Sequence, residues 1–210
     1  MTRSPGASGI VLAGGQSTRL GRDKASEVLR GRSLLQRAVD AIEGLVDECV
    51  VVVAAGQKLP SIETTLPLRV VEDAYARIGP LGGIFTGLEA IEHDGAVVVA
   101  CDLPVLQPAL LAELLRRLHG HDAVVPLNGL PEPLCAAYSK RCLAAIGERI
   151  EAAAYKVTGF FDAVDVQYVE QEIWRRFDAD GLSFLNVNRE ADLQRADALL
   201  AEREAAGGGA

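Results

Sequence analysis

The chain has 210 residues, of which 49% are hydrophobic and 24% are charged, a composition typical of a globular protein. At this length a chain buries about 70% of its unfolded surface, so it needs neither disulfides nor a structural metal to be stable. The formal net charge of -8 argues against nucleic acid or an anionic membrane surface as a partner.

The cysteines and histidines indicate a reduced protein without a zinc site. None of the four cysteines forms a C-x-x-C pair, and the chain has only three histidines. Cys49 and Cys101 lie in apolar runs and are predicted to be core thiols. Since no signal peptide and no membrane-length apolar run is evident, we expect a cytoplasmic protein.

Strand-like apolar runs alternate with segments of helical periodicity along most of the chain. Strands are predicted at residues 9–12, 49–54, 68–71, 96–101 and 123–126, and helices from Ser33 as N-cap and at 81–91, 108–118, 140–153 and 192–204. After residue 126 the pattern loosens, and Pro-Glu-Pro at 131–133 introduces the segment 134–138. This alternation predicts a mostly parallel sheet with helices on both faces. Shorter strands at 159–161, 164–168 and 184–187 are expected on an antiparallel edge.

One domain is therefore expected over residues 9–200, after an N-terminal extension at 1–8 and before a disordered tail at 201–210. The tail ends in small residues, Ala-Ala-Gly-Gly-Gly-Ala, which favours fraying.

The first predicted strand ends in two glycines that are followed by a cationic segment. Gly14 and Gly15 permit a sharp turn that brings backbone N–H groups close to a ligand, and Arg19, Arg22 and Lys24 follow. Backbone donors and three cations predict a polyanion site, most simply for a nucleoside triphosphate. The spacing matches neither a P-loop nor a dinucleotide fingerprint. The alternative is a glycine-rich surface turn.

Two carboxylates follow later strands. Since ligands bind beyond the carboxyl ends of parallel strands, Asp73 and Asp102 are expected beside Gly14. Asp102 is the predicted magnesium ligand, because Mg²⁺ is held by one or two carboxylates together with substrate phosphates. Asp73 is either an acceptor for a base or ribose or an ordinary turn residue. Gly82 belongs to a second glycine turn, which either packs against a base or simply connects a strand to a helix.

Five motifs occur in an order that resembles one family. They are L-A-G-G-x-S-x-R-L-G-x-D-K at 12–24, G-P-L-G-G-I at 79–84, C-D-L-P at 101–104, P-E-P-L at 131–134 and N-V-N at 186–188. The first motif resembles the signature loop of nucleotidyltransferases in general. The ordered set, P-E-P-L followed by N-V-N in particular, resembles the molybdenum cofactor guanylyltransferases, the MobA family, over residues 9–200.

The resemblance implies a three-layer Rossmann-like nucleotidyltransferase fold, with a mostly parallel central sheet and an antiparallel edge elaboration. It also implies transfer of GMP from GTP to the phosphate of molybdopterin or its molybdenum-bearing form, with Mg²⁺ as cofactor and pyrophosphate as the second product. The acceptor phosphate is already ionised near neutral pH, because its second pKa is about 6, so no general base is required.

The resemblance assigns roles to individual residues. Arg19, Lys24 and Asp102 would be catalytic, with Asp102 on the metal, and Glu132, Asn186 and Asn188 would bind the acceptor, with the two asparagines alternatively completing the metal shell. The implied nucleotide contacts are Leu12, Ala13, Gly14, Gly15, Lys24, Asp73, Gly82 and Asp102.

Two departures from the family pattern affect these assignments. Val53-Ala54-Ala55 stands where some members carry an Asn that touches the nucleotide, which makes guanine specificity less secure. Arg189 and Glu190 replace a Thr-Pro pair, and Arg189 is either a partner for an acceptor phosphate or a plain first-turn residue.

Three other functions remain open. Within the superfamily, the chain could be a cytidylyltransferase for the same pterin or a sugar-phosphate nucleotidyltransferase. From another class, it could be a non-catalytic nucleotide-binding module that delivers cofactor. A monomer is expected, with transient contacts to cofactor-delivery proteins or apo-molybdoenzymes.

Overall fold

The computed structural model describes residues 6–14, 24–75 and 78–207. A β-sheet lies at the centre of the protein. The strands are β1 (Ser8–Leu12), β2 (Val28–Leu29), β3 (Arg32–Ser33), β4 (Glu48–Val53), β5 (Leu68–Glu72), β6 (Gly95–Ala100), β7 (Ala123–Asn128), β8 (Leu130–Pro131), β9 (Cys135–Ser139) and β10 (Val166–Val169). The helices are α1 (Leu34–Glu43), α2 (Pro80–Ala90), α3 (Pro108–Arg117), α4 (Cys142–Glu151), α5 (Gln171–Trp174) and α6 (Glu190–Gly207). Short 3₁₀ segments lie at Lys24–Ser26, Val157–Ala163 and Leu182–Phe184.

The strand order in the sheet is β10-β7-β9-β6-β1-β4-β5, with β8 paired to β7 beside this path. Strand β1 lies in the middle and is parallel to both neighbours, with Ile10 opposite Val50 on one side and Val98 on the other. Because β5, β4, β1 and β6 are all parallel, their carboxyl ends lie along the same edge of the sheet. That edge carries the candidate site.

Alternate residues of the strands enter two separate cores, one on each face of the sheet. Val11 packs with α1 and α3 on one face, whereas Ile10 packs with α2 and α4 on the other. Full burial of one such aliphatic side chain contributes about 1.5–3 kcal/mol to stability. This arrangement confirms the predicted three-layer α/β fold with a mostly parallel sheet.

Local signals position the helices as predicted. The Ser33 hydroxyl accepts a hydrogen bond from the Gln36 N–H and caps α1. Gly79, at φ 80°, precedes Pro80 at the first turn of α2. Farther along α2, a Cβ on Gly87 would lie 2.6 Å from Cγ2 of Ile10, so this glycine permits close packing of α2 on β1. The start of α2 is thereby held at the carboxyl edge of the sheet.

The part of the chain after residue 126 differs from the prediction in five segments. The antiparallel strand β9 lies inside the sheet between β6 and β7, and the edge strand β10 is parallel to β7. Two segments predicted as strands form 3₁₀ turns, at Val157–Ala163 and Leu182–Phe184. Helix α6 continues to Gly207, so residues 201–207, predicted to be tail, are helical. The differences in strands and turns have one physical reason. An apolar run indicates that a segment is buried, but it does not indicate which other segment packs against it.

A third, small apolar cluster attaches the C-terminal segment to the carboxyl edge of the sheet. Its buried members come from the N-terminal part of the chain, from the loop after β6 and from the C-terminal part. They are Leu29, Leu34, Val105, Leu182, Val187, Leu193 and Ala196. This cluster places the segment before α6 directly beside the end of β6.

Within the described residues, no helix combines the length and the apolar character that crossing a lipid bilayer requires.

Candidate active site

The carboxyl ends of four parallel strands are joined by backbone hydrogen bonds. The Ala13 and Gly14 N–H groups both donate to the Val52 carbonyl, at 2.8 and 3.0 Å. The N–H of Cys101 donates to Leu12, and the N–H of Asp73 donates to Val53. The loops that follow β1, β4, β5 and β6 therefore form one connected surface, as predicted for Gly14, Asp73 and Asp102.

A cleft opens above this surface. Six of the residues predicted to bind nucleotide line it, and it is closed by apolar and glycine residues from the strand ends and from the start of α2. The lining residues are Leu12, Ala13, Gly14, Lys24, Val52, Asp73, Gly79, Pro80, Gly83, Ala100, Cys101, Asp102 and Leu134. Leu134 and Pro80, which sequence reasoning did not assign to the site, supply apolar surface on which a ring could pack.

The polar centre of the cleft is an ion pair with a third partner. Lys24 Nζ lies 3.0 Å from Asp102 Oδ2 and donates to Asn188 Oδ1 at 2.8 Å. The side chains of Lys24 and Asp102 are only 18% and 21% exposed. The structure thus brings together one residue predicted for the phosphates, one for the metal and one for the acceptor.

The second carboxylate oxygen of Asp102 is buried and has no hydrogen-bond partner among the described residues. Leaving such an oxygen unsatisfied costs about 1–3 kcal/mol, and more when the group is charged. Stable proteins retain an unsatisfied oxygen mainly where a ligand or ion completes it. No group of three His, Cys, Asp or Glu side chains suited to a metal occurs in the described ranges.

The N–H groups of Ala13 and Gly14 are not available to a phosphate, because both are donated to Val52. The Gly15 N–H lies outside the described residues, so the prediction that backbone donors of this turn approach the ligand stays a prediction. Gly14 is required instead by close packing, since a Cβ on it would lie 2.9 Å from the Ala54 nitrogen. Gly15 and Arg19, also predicted for this site, lie outside the described residues.

Gln57 is a residue near the site that the sequence did not reveal. Its side-chain oxygen accepts from the Ala54 N–H at 2.9 Å, and its side-chain nitrogen donates to the Ala13 carbonyl at 3.1 Å. A single amide group thus joins the loop after β4 to the loop after β1. It does so beside Ala54, within the stretch where some family members carry an Asn. The sequence signal that could have indicated Gln57 is that it is a polar residue shortly after the stretch where some family members carry an Asn.

Asp73 lies in the cleft wall, but its Oδ1 atom is engaged locally. It accepts from the Tyr75 N–H at 2.9 Å and faces the Thr86 hydroxyl at 3.4 Å. Gly82 does not line the cleft. A Cβ on Gly82 would lie 3.1 Å from Asp73 Oδ1 and 2.8 Å from the Tyr75 Cβ, so this glycine makes room for the Asp73 turn.

The predicted acceptor residues are not equivalent in the structure. Glu132 accepts a hydrogen bond from Asn128 at 3.3 Å, and burial raises the pKa of its carboxyl group in spite of that bond. Asn186 is exposed and its amide reaches only the Phe184 carbonyl, at 3.5 Å. Of the three, Asn188 alone contacts a residue that lines the cleft, Lys24.

The four cysteines are buried, and none of them forms a disulfide. Their burial confirms the prediction that Cys49 and Cys101 are core thiols. Burial raises the pKa of Cys49 to about 12 and also that of Cys142 to about 12. Neither thiol can serve as a nucleophile at neutral pH, because the thiolate is the reactive form.

The fold and the cleft define a nucleotidyltransferase, and the solved structures that resemble this chain agree with that class. Molybdopterin-guanine dinucleotide biosynthesis protein A from Archaeoglobus fulgidus superposes with a TM-score of 0.77 at 25% identity, covering 93% of this chain and 99% of that one. The 2-C-methyl-D-erythritol 4-phosphate cytidylyltransferase from Thermus thermophilus superposes with a TM-score of 0.69 at 17% identity, covering 96% and 100% of the two chains. The latter shows likeness of fold alone.

Sequence comparison narrows the class to a family. The model of the MobA-like NTP transferase domain matches residues 9–168. A probable molybdenum cofactor guanylyltransferase from Pelotomaculum thermopropionicum is 36% identical over 191 residues, covering 90% of this chain and 91% of that protein. A molybdenum cofactor guanylyltransferase from Desulfosudis oleivorans is 33% identical over 196 residues, covering 91% and 95%. The chain belongs to the MobA-like NTP transferase family.

Proposed function

We propose that this nucleotidyltransferase transfers GMP from GTP to the terminal phosphate of molybdopterin or its molybdenum-bearing form and releases pyrophosphate. The observation that carries the proposal is the ion pair of Lys24 with Asp102 in the cleft, where the second carboxylate oxygen of Asp102 is buried and has no hydrogen-bond partner among the described residues. The names of the relatives from Pelotomaculum thermopropionicum and Desulfosudis oleivorans support guanine as the base and the molybdenum cofactor as the acceptor.

Asp102 fits a magnesium ion. Its unsatisfied oxygen is a hard anionic ligand, and the single carboxylate leaves the remaining coordination positions to substrate phosphates and water. When bound there, Mg²⁺ would neutralise charge on the triphosphate. We therefore propose that the reaction depends on magnesium.

The residues of this chain would act by positioning and by charge. Lys24 would donate to the triphosphate and stabilise the leaving pyrophosphate, as Arg19 is also expected to do. The apolar wall with Leu134 and Pro80 would exclude water from the reacting phosphates. Since the acceptor phosphate is ionised near neutral pH, no residue needs to remove a proton.

Base recognition is assigned to the wall formed by Asp73 and the start of α2. The Asp73 Oδ1 atom is occupied by the Tyr75 N–H, whereas Oδ2 lies on the side of Gly83, which also lines the cleft. A carboxylate oxygen can accept from the N1–H and exocyclic amine of guanine. Cytosine has an exocyclic amine but no ring N–H beside it, so the carboxylate favours guanine.

The experiment that tests the proposal measures pyrophosphate release by the purified protein with molybdopterin as acceptor. We expect release with GTP and Mg²⁺, and little release with CTP or with EDTA. A preference for CTP would make the chain a cytidylyltransferase for the same pterin. Turnover with a sugar phosphate, or binding of GTP without turnover, would point to the other two functions. We place the reaction in the cytoplasm, where the four unpaired thiols stay reduced.

A further inference from the structure

The Lys24 ammonium lies between two oxygens that reach it from distant parts of the chain. One is Asp102 Oδ2 at 3.0 Å, and the other is Asn188 Oδ1 at 2.8 Å. Lys24 and Asn188 are separated by 164 positions, so folding alone brings them together. The side-chain oxygen of Asn188 is thus directed at the cation to which the proposed function assigns the phosphates.

We propose that Asn188 is a positioning residue that holds the Lys24 ammonium at the cleft before the triphosphate binds. The proposal rests on the function proposed above. It changes the role expected for Asn188 from an acceptor contact to support of nucleotide binding through Lys24.

Asn188 is itself held from both sides. The Val187 N–H donates to the Asp102 carbonyl at 2.8 Å, and the Val187 side chain is fully buried in the cluster at the start of α6. On the other side, Asp192 Oδ2 accepts from the N–H groups of Asn188 and Arg189, both at 2.9 Å. The backbone of Asn188 is therefore fixed relative to the end of β6, where Asp102 lies, and its side chain starts from a defined position.

The chemistry of an amide suits this role. A lysine side chain is flexible, and ordering it when a ligand arrives weakens binding, so a lysine that is already ordered binds phosphate more tightly. The neutral amide oxygen accepts from the ammonium without adding negative charge to a site that must attract a triphosphate. A second carboxylate in its place would give Lys24, Asp102 and their neighbour a net charge of about -1, which repels an anion.

The test measures GTP affinity of the full chain by calorimetry without acceptor, once with Mg²⁺ and once with EDTA. We expect Asn188→Leu to weaken GTP binding about two- to tenfold under both conditions. Lys24→Met should weaken it further, and the double variant should bind no more weakly than Lys24→Met alone, since Asn188 acts through Lys24. The matched control is Gln194→Leu, which makes the same amide-to-leucine change at an exposed position of α6, and for it we expect the wild-type GTP affinity.

Three outcomes would overturn the inference while leaving the proposed function intact. They are wild-type GTP affinity of Asn188→Leu, losses that multiply in the double variant, and a loss seen with Mg²⁺ but not with EDTA, which would make Asn188 a metal ligand. Thermal unfolding of each variant, with Asn188→Ala as a second substitution, separates lost affinity from lost folding. If the wild-type chain binds no GTP at all, the proposed function fails together with the inference.

Discussion

Two carboxylates at opposite edges of the sheet differ in how completely the protein satisfies them. Glu48, at the amino end of β4, accepts from the Ser8 hydroxyl at 2.7 Å, from the Glu92 N–H at 2.5 Å and from Arg69 at 2.7 Å. Its side chain is 6% exposed, and both of its oxygens are used. Asp102, at the carboxyl edge, has one oxygen paired with Lys24 and one buried oxygen without a partner among the described residues.

We expect this difference to separate a carboxylate that supports the fold from one that acts in the proposed function. Each hydrogen bond to Glu48 replaces one that the carboxylate made with water, which offsets the cost of burying its charge, so losing this carboxylate would leave buried partners unsatisfied. At Asp102 the fold leaves one oxygen unsatisfied, which costs stability unless a ligand completes it. The comparison predicts that substitutions at the amino edge change stability, whereas those at the carboxyl edge change turnover.

The largest expected effect is on turnover in Asp102→Ala. We expect pyrophosphate release from GTP to fall by about 100- to 1000-fold, because the charge that would hold Mg²⁺ is removed from the reacting phosphates. Steady-state release with the pterin acceptor measures this. The free energy of unfolding should change little, since one oxygen is already unsatisfied, and Asp102→Asn provides a second variant of nearly the same shape. Turnover at the wild-type rate in either folded variant would remove Asp102 from the mechanism.

Glu48→Ala should do the reverse. It leaves the Ser8 hydroxyl and the Glu92 N–H without their buried acceptor, so we expect the free energy of unfolding to fall by about 2–4 kcal/mol. Urea denaturation measures this change, and the rate of GTP turnover per folded molecule should be unchanged. The matched control is Glu92→Ala, whose side chain is 75% exposed and whose backbone N–H is retained. Equal stability losses in the two variants would contradict the structural role of Glu48.

Gln57→Ala gives an intermediate effect and tests the loop contacts at the carboxyl edge. Removing the amide that joins Ala13 to Ala54 should lower GTP affinity about three- to tenfold, since one or two hydrogen bonds that hold the cleft wall are lost. Calorimetry without acceptor measures the affinity. Lys58→Ala, at the neighbouring exposed position, is the control. If thermal stability drops while GTP affinity stays constant, Gln57 supports the fold but not the site.

The smallest expected effect is on the pH dependence of stability. The contributions of Glu48 and Glu132 to the free energy of unfolding should change with pH in opposite directions. Burial by itself raises the pKa of Glu48, but hydrogen bonds from Ser8, the Glu92 N–H and Arg69 bring it below the ordinary value of 4.5. Its contribution to stability is therefore present above pH 4.5 and is lost as the pH falls through the lower, folded pKa. For Glu132, burial raises the pKa above 4.5, so the folded state binds its proton more tightly, and stability from this group falls as the pH rises from 4.5.

Urea midpoints between about pH 3 and pH 7 measure both slopes, since this range spans the ordinary glutamate pKa of 4.5. Glu48→Gln should flatten the rise of stability with pH, and Glu132→Gln should increase stability at pH 7. The amide oxygen introduced by Glu132→Gln can still accept from Asn128, which keeps the contact comparable. Slopes of the same sign for the two residues would show that the two edges do not differ in this way.

Local sequence signals predicted the elements that hold the site. Apolar β-branched runs identified β1, β4 and β6, Ser33 identified the start of α1, and Gly79-Pro80 identified the start of α2. In a parallel sheet the carboxyl ends of the strands share one edge, so the convergence of Gly14, Asp73 and Asp102 also followed from the pattern. These features depend on interactions between residues close in sequence or on a general rule of topology.

The insertion of β9 inside the sheet, the use of the Ala13 and Gly14 N–H groups and the bridge made by Gln57 were not predictable in this way. Each depends on which distant segment supplies the partner of a backbone or amide group, and composition and periodicity do not encode that choice. The same holds for Lys24 and Asn188, 164 positions apart.

By itself the sequence determined the class of fold, the edge of the sheet that carries the site and the charged residues that belong to it, because burial and strand direction follow from local pattern. Only the tertiary structure decided that Asp102 keeps one oxygen unsatisfied and that Asn188 is directed at Lys24. Whether a polar group is satisfied by hydrogen bonds depends on its neighbours in three dimensions. Two carboxylates at opposite edges of one sheet, Glu48 and Asp102, can therefore differ in what they do.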